Sequence, residues 1–295
     1  MESLHNCLVC DNESFTTSLT CPDYFLTQER FNICRCEKCG FLFTNPRPSA
    51  AELPAYYQST EYISHSNSNQ GIQNTLYQWV RKYTLGRKYK LILSQQKGSR
   101  ILDIGCATGE FLNYFKRRKW ETFGIEPDAQ ARQMGISNYA LSIEDEDYLH
   151  KLPDASFDVI TMWHVLEHVP LLNERIDQLQ RLLSPGGILF IAVPNPASAD
   201  AKYYGSFWAA YDVPRHLYHF TQDTITLLFS KHAFGLVQKI PMKFDAYYVS
   251  LLSEKYMPAK KGFFTGIWRG FLSNHAANRS GEYSSIIYAF RRVSA

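Results

Sequence analysis

Short apolar runs punctuate the middle of the chain: RILDI at 100–104, ETFGI at 121–125, FDVITM at 157–162 and a run ending in ILFIAV at 187–193. Between them, apolar residues recur every three or four positions over about 109–119, 128–135 and 171–183. Runs this short suit buried strands and the intervening periods suit helices, so the order predicts a parallel sheet covered on both faces. SPGG after Leu183 predicts a sharp stop between the last helix and the strand ILFIAV. Upstream, Ser49 and Glu52 have capping-box spacing for a short helix containing Tyr56 and Tyr57, and Ile72, Leu76, Trp79, Val80 and Tyr83 mark a longer one. Downstream, a loop rich in aromatics and histidine at about 195–220 leads to a helix at 221–232 and strands at 235–240 and 284–290. The stretch KKGFFTGIWRGFL is aromatic and basic; it reads as a surface helix packed on the sheet, or as a peripheral contact with a membrane or lipid-linked substrate.

The whole chain, at 295 residues, has room for one large α/β domain and a small module. The formal charge of +3 is low, and the basic excess sits late, at Lys255, Lys260, Lys261, Arg269, Arg279, Arg291 and Arg292, so no general polyanion-binding surface is expected. SHSNSNQG at 64–71 is the one polar, low-complexity run. The first residues, MESLHNCLVCDNE, lack the basic start and apolar run of a secretory signal, and nowhere do eighteen apolar residues occur together. A soluble, cytoplasmic protein is therefore expected.

Residues 1–48 are too few to hold together by apolar burial alone. Cys7, Cys10, Cys36 and Cys39 form two CxxC pairs about 25 residues apart, the spacing of two knuckles that close a tetrahedral thiolate zinc site. Gly40 suits the sharp turn of the second knuckle. Cys34, in CRCEKC, is a substitute ligand for Cys36, with Cys21 as another spare thiol, but the second CxxC has the better geometry. Four sulfurs leave no open position for a reacting water, so the metal would stabilise the module and do no chemistry.

RILDIGCATGEFL combines a strand, a glycine turn and a helix start, which is a generic ligand site. The dinucleotide fingerprint fails, because Ala107 and Glu110 stand where glycines are needed after Gly105. Asp103 at the strand tip would repel a pyrophosphate and attract an ammonium or sulfonium. Glu126, ending the second strand in GIEP, can accept hydrogen bonds from both ribose hydroxyls. Adenosine linked to a cationic amino acid satisfies both acids. In order and spacing, DIGCATG, GIEP, FDVITMWHVLEHV and LLSPGGILFIAVPN resemble the class I S-adenosylmethionine-dependent methyltransferases over about residues 72–240. The resemblance implies a Rossmann-like seven-stranded sheet, mostly parallel, with the last strand antiparallel. It implies that Asp103, Gly105, Cys106 and Gly109 border the methionine part of the cofactor, that Glu126 binds the ribose, that Trp163 lines the cofactor after the fourth strand, and that the adenine lies near Ile143. The domains it suggests are a zinc module at 1–48, a helical linker at 49–98 and a catalytic domain at 99–295 with a substrate-side insertion at about 195–220.

Two histidine clusters compete for the acceptor. HVLEH, His164 to His168, spells a metallopeptidase HxxEH motif, but it follows a buried strand directly. His168 reads as a brace for that loop or as a substrate-facing acid or base. YDVPRHLYHF at 211–220 gathers Asp212, Arg215, His216, Tyr218 and His219 beyond the fifth strand, and His216 reads as a substrate-site base or ligand, or as a hydrogen-bonded structural histidine. This segment also resembles a region of bacterial sugar C-methyltransferases in which a Glu-His pair precedes an aromatic, with Arg215 here in the glutamate's position. The cysteine pairs followed by FTNPRPSAAELPAYY resemble the zinc-containing bacterial methyltransferases that include those enzymes. The function implied is methylation of oxygen or carbon on a small molecule, a sugar or glycan precursor. A ribosomal RNA methyltransferase is the rival, disfavoured by Glu2, Asp11, Glu13, Asp23, Glu29, Glu37 and Glu52 matching Arg30, Arg35, Lys38 and Arg47 where RNA would want a basic face. A non-catalytic zinc scaffold is the other alternative.

Overall fold

The computed structural model describes residues 1–57, 72–259 and 262–293, with the backbone alone for 72–82. The polar run at 64–71, the side chains of Ile72, Leu76, Trp79 and Val80, and Lys260 and Lys261 lie outside the described residues.

The amino-terminal segment forms an antiparallel sheet of β1 (Phe15–Pro22), β2 (Arg30–Cys36) and β3 (Leu42–Thr44). These strands escape periodicity because β1 fully buries one residue of eight and β3 has three residues. Leu53–Tyr57 forms a single 3₁₀ turn, and Glu52 Oε2 accepts from the backbone and hydroxyl of Ser49, as half of a capping box would. The long helix α1 (Ile72–Gln95) then leads to β4 (Arg100–Ile104), α2 (Glu110–Lys116), β5 (Glu121–Ile125), α3 (Ala129–Tyr139) and β6 (Ser142–Glu144). Next come β7 (Phe157–Trp163), α4 (Leu172–Leu182) and β8 (Leu183–Pro194). SPGG does not separate these last two. Leu183 already pairs with Phe157, and Ser184 to Gly187 bulge outward before the ladder resumes at Ile188, with Gly186 left-handed at φ 76°.

After β8 come α5 (Ala199–Tyr204), β9 (Tyr218–His219), α6 (Gln222–Lys231), β10 (Phe234–Pro241), α7 (Asp245–Tyr256), α8 (Phe263–Ser280) and β11 (Ser285–Arg292). Seven strands form one sheet in the order β10-β11-β8-β7-β4-β5-β6. The run from β8 to β6 is parallel, and β11 enters antiparallel to both its neighbours. This is the mixed seven-stranded sheet the sequence implied.

Two findings depart from expectation. β9 leaves the large sheet and pairs with β3, supplying the fourth strand of the amino-terminal sheet. Phe41, Phe43, Tyr218 and Phe220 pack there in a core that runs on to Phe290 in β11, so the cysteine-rich segment is welded to the catalytic half. Secondly, α8 packs on α7 and α5 rather than on the sheet. A Cβ on Gly270 would lie 2.8 Å from Tyr247 Cα, and one on Gly266 3.0 Å from Leu251 Cα, so the two glycines bring the helix backbones together. Phe263, Phe264, Trp268 and Phe271 are left facing outward. Among the described residues no helix is long and apolar enough to cross a membrane.

Candidate active site

The glycine turn follows β4 at the carboxyl end of the parallel strands, the end at which open α/β sheets bind ligands. Gly105, Ala107 and Gly109 all have left-handed backbones, at φ 74°, 47° and 75°. A Cβ on Gly105 would stand 2.4 Å from Val165 Cγ2, and one on Gly109 2.4 Å from Leu141 Cδ1, so glycine is required there by space as well as by conformation. Asp103, just before the turn, is 2% exposed and accepts a hydrogen bond from Thr161 Oγ1 at 2.6 Å. Burial raises its carboxyl to about 7 despite Thr161 and the nearby Lys88 ammonium.

Glu126 follows β5 and is fixed by two backbone donors, Ala107 N–H to Oε2 at 2.8 Å and Asp128 N–H to Oε1 at 2.9 Å. The first ties it to the glycine turn itself. Its remaining lone pairs suit ribose hydroxyls, and burial pushes its carboxyl up. Trp163 ends β7 with its Nε1 buried and without a hydrogen-bond partner among the described residues, while Phe111 meets its ring edge-on. Cys106 contributes backbone only: its thiol turns into the core, where a Cβ on Gly124 would meet Sγ at 2.6 Å. Ile143 packs beneath the turn, against Gly109 and Gly135.

Lys88 was not legible in the sequence. It reaches from α1 to put its Nζ 3.8 Å from the centre of the Trp163 ring, between Asp103 and Asp245. Burial lowers its ammonium to about 8 against the pull of those two acids. It sets a cation beside the acidic tip of β4.

The HVLEH segment makes no α-helix. His164 is left-handed at φ 58° and Leu166–His168 forms one 3₁₀ turn, so the two histidines do not share a helix face and the metallopeptidase geometry is absent. His164 turns instead to Asp245, with Nε2 to Oδ2 at 3.0 Å. His168 Nδ1 lies 2.9 Å from the Tyr57 hydroxyl and 3.1 Å from the Arg215 carbonyl, and burial lowers this imidazole to about 4, keeping it neutral. His216 joins it, with ring centres 4.5 Å apart. His216 Nδ1 is 2.9 Å from the Ala210 carbonyl, and Nε2 is 4.0 Å from both Glu167 Oε1 and Asp212 Oδ2.

Glu167 is fully buried, and neither of its oxygens has a hydrogen-bond partner among the described residues. Burial would raise its carboxyl, yet the imidazoles of His164, His216 and His168 hold it below the ordinary range. The sequence showed Glu167 only as a letter within HVLEH; the spacing Glu-His in that motif was the available signal. Arg215 is structural: its guanidinium bonds Asp212 Oδ1 at 2.6 Å and Asp23 Oδ1 at 2.8 Å, clamping the histidine loop to the amino-terminal sheet. His219 lies deeper, 3.4 Å from Thr44 Oγ1, and burial lowers it to about 3.

The four cysteines meet as the spacing required. Cys7 and Cys39 sulfurs are 3.5 Å apart, as are those of Cys10 and Cys36, and all four lie within 4.8 Å of one another. Tetrahedral Zn–S bonds of about 2.3 Å put sulfurs at comparable separations, so the cluster is consistent with a zinc site. Gly40 is left-handed at φ 75° and donates its N–H to the Cys36 carbonyl, closing the second knuckle. Cys34 lies outside the cluster, donating to the Asn45 carbonyl, and Cys21 packs against Phe31 and Val213.

Residues 77–239 match the family model described as a methyltransferase domain. The ubiquinone biosynthesis O-methyltransferase of Xanthomonas oryzae pv. oryzae is 30% identical over 132 residues, which cover 42% of this chain and 55% of that protein. The 27-O-demethylrifamycin SV methyltransferase of Amycolatopsis mediterranei is 32% identical over 123 residues, covering 37% and 45%. The chain thus spans about half the length of the curated relatives it matches. Among solved structures, the [4+2]-cyclase SpnF shares the fold at 16% identity and a TM-score of 0.50, over 71% of this chain and 81% of that one. The match to the family model takes in more than half of the 295 residues and ends within β10, and the chain belongs to the class I S-adenosylmethionine-dependent methyltransferases.

Proposed function

We propose that the protein transfers the methyl group of S-adenosylmethionine to a hydroxyl oxygen of a small polyhydroxylated molecule, a sugar or glycan precursor, with an acidic carbon as the other acceptor the same site serves. The observation that carries this reading is the placing of two differently built clusters beyond the carboxyl ends of the parallel strands: buried acids at Asp103 and Glu126 that suit a cationic nucleoside, and a histidine pair at His168 and His216 in the loops that follow β7 and β8, of which burial keeps His168 neutral. In this reading Asp103, Gly105 and Gly109 enclose the methionine part, Glu126 holds the ribose, Trp163 covers the cofactor, and Lys88 pairs with its carboxylate. Sulfonium is already a good leaving group, so the chain's work is to align acceptor, methyl carbon and sulfur and to exclude water. The S–CH₃ bond breaks as the O–CH₃ bond forms, the electron pair stays on sulfur, and the acceptor's proton leaves through the Glu167, His168 and His216 cluster. Both matched relatives carry O-methylation in their names, which supports oxygen. The cysteine cluster would hold zinc as a structural ion.

The test is methyl transfer from labelled cofactor to a panel of nucleotide sugars and free glycosides. His216→Ala is expected to lower turnover by roughly 10²–10⁴ with cofactor affinity unchanged. Absence of cofactor binding by calorimetry would sink the reading, and salt-sensitive binding of RNA would move the acceptor to that class.

A further inference from the structure

We propose that Glu167, His168 and His216 form a second metal site, which takes a divalent first-row transition cation on the acceptor side. The three side chains offer ligand atoms within 4.8 Å of one another. They come from two separate loops, the turn after β7 and the segment before β9, so the cluster is a product of the tertiary fold.

Three features favour a cation there. The first is Glu167, a fully buried carboxylate whose oxygens accept no close hydrogen bond among the described residues and whose ion pair with His164 Nδ1 is long at 3.5 Å and reaches Oε1 alone. A buried anion without donors is costly, and either a proton or a metal normally satisfies it. The second is the tautomer of the two histidines. Nδ1 of His168 faces the Arg215 carbonyl at 3.1 Å and Nδ1 of His216 faces the Ala210 carbonyl at 2.9 Å. A carbonyl can only accept, so Nδ1 of His216 carries the hydrogen and its Nε2 keeps a lone pair, the arrangement in which metal-bound histidines are held from behind; His168 takes the same tautomer when the Tyr57 hydroxyl, 2.9 Å from its Nδ1, accepts rather than donates. The third is the spacing. His216 Nε2 stands 4.0 Å from Glu167 Oε1 and 4.0 Å from Asp212 Oδ2, too far for hydrogen bonds and with acceptors facing one another, a layout that a shared positive ion relieves.

Two imidazoles and one carboxylate suit Mn²⁺, Fe²⁺, Co²⁺ or Zn²⁺ better than Ca²⁺ or Mg²⁺, and differ from the closed thiolate set of the cysteines. His164 supplies no ligand: its Nε2 meets Asp245 at 3.0 Å and its Nδ1 lies 3.5 Å from Glu167 Oε1, a neighbouring cation that a bound metal would have to displace or share the carboxylate with. Three protein ligands leave positions open, and Asp212, whose side chain is 29% exposed, marks the side from which acceptor oxygens could complete the shell. An acceptor hydroxyl bound there would lose its proton more readily. His216 then acts as a ligand. That catalytic role rests on the methyl-transfer reading above, whereas binding of the cation does not.

The experiment uses the full-length protein with its cysteine site loaded with zinc and no cofactor added. Mn²⁺ is titrated and free Mn²⁺ is followed by electron paramagnetic resonance, and elemental analysis follows equilibration with excess Zn²⁺ and desalting. One Mn²⁺ bound per chain, displaced by Zn²⁺, and two Zn²⁺ retained per chain are expected. Glu167→Gln and His216→Ala should each weaken Mn²⁺ binding more than tenfold, and Tyr57→Phe, which frees His168 Nδ1 of one partner, should weaken it by about tenfold or more. Calorimetric binding of S-adenosylmethionine by each variant reports that the fold is intact. Wild-type protein that retains only the cysteine-bound zinc and takes up no Mn²⁺ overturns the proposal, and so does Mn²⁺ binding that is equal in wild type and Glu167→Gln. Loss of cofactor binding with metal binding intact would instead strike the methyltransferase reading alone.

Discussion

Among the described residues Asp103 has one hydrogen-bond donor, Thr161, and too little solvent to keep its charge cheaply, so burial raises its carboxyl to about 7. A sulfonium or ammonium ligand binds the ionised form. Below about pH 7 the free protein holds Asp103 protonated, and binding must first expel that proton. Calorimetry from pH 5.5 to 8.5 should therefore find affinity for S-adenosylmethionine rising with pH by about tenfold per unit below the midpoint and levelling off above it. Asp103→Asn should flatten that profile and weaken binding roughly tenfold or more at pH 8. Arg215 gives a second residue-scale test. Arg215→Met would strand Asp23, which is 0% exposed. Breaking a buried pair costs about 3–5 kcal/mol, and the low end applies because Asp23 keeps hydrogen bonds from the N–H groups of Phe25, Leu26 and Thr27. Denaturant unfolding measures it. Asp103 and Glu126 were readable because a strand tip and a tight turn fix where a side chain goes within a few residues. Lys88 and Glu167 were not, since the partners that define them, Trp163 and Asp245 for one and His216 for the other, lie far away in sequence.

At the scale of elements, strands buried on both faces announce themselves as continuous apolar runs, and β4, β5, β7 and β8 all did. The exceptions have distinct causes. β6 is three residues long with one buried side chain, β9 has two residues, and β1 fully buries one residue of eight, so none carries enough pattern to stand out from a loop. α7 was missed because its apolar and polar positions do not segregate cleanly: it is covered by α8 on one side and by the turns after α5 on another. The same pairing explains the outward aromatics of α8, whose inner face is Gly266, Gly270, Ser273 and Ala277. Gly270→Val is expected to destabilise the protein by roughly 1–3 kcal/mol, because its Cβ meets the Tyr247 backbone rather than a movable side-chain tip. Phe264→Ser, at a position 85% exposed, should stay within about 0.5 kcal/mol. Thermal unfolding of the two variants separates a helix held by close backbone approach from one held by its aromatic face.

Over the whole molecule, the fourth strand of the amino-terminal sheet is also the end of the histidine loop, so the cysteine cluster and the acceptor side are mechanically one unit. Thr44 N–H donates to the Leu217 carbonyl at 2.9 Å and Thr44 Oγ1 to the His216 carbonyl at 2.8 Å, next to the β3–β9 pairing. The cofactor side depends on other contacts: Asp103 is held by Thr161 of β7, and Glu126 by the N–H groups of Ala107 in the glycine turn and of Asp128. Removing the proposed zinc should therefore strike the two sides unequally. Chelation, or Cys36→Ser, is expected to loosen the small sheet and with it His216 and His168, abolishing turnover, while affinity for S-adenosylmethionine changes by less than about threefold, under 1 kcal/mol. Because the small sheet shares a core with the large one, stability falls as well, and a loss of about 3 kcal/mol lowers the unfolding midpoint by roughly 6–12 °C. Scanning calorimetry and cofactor titration on the same chelated sample read both quantities. An unchanged midpoint would remove the cysteines' structural role, and cofactor affinity collapsing together with turnover would mean that the cofactor side too is held from the amino-terminal sheet.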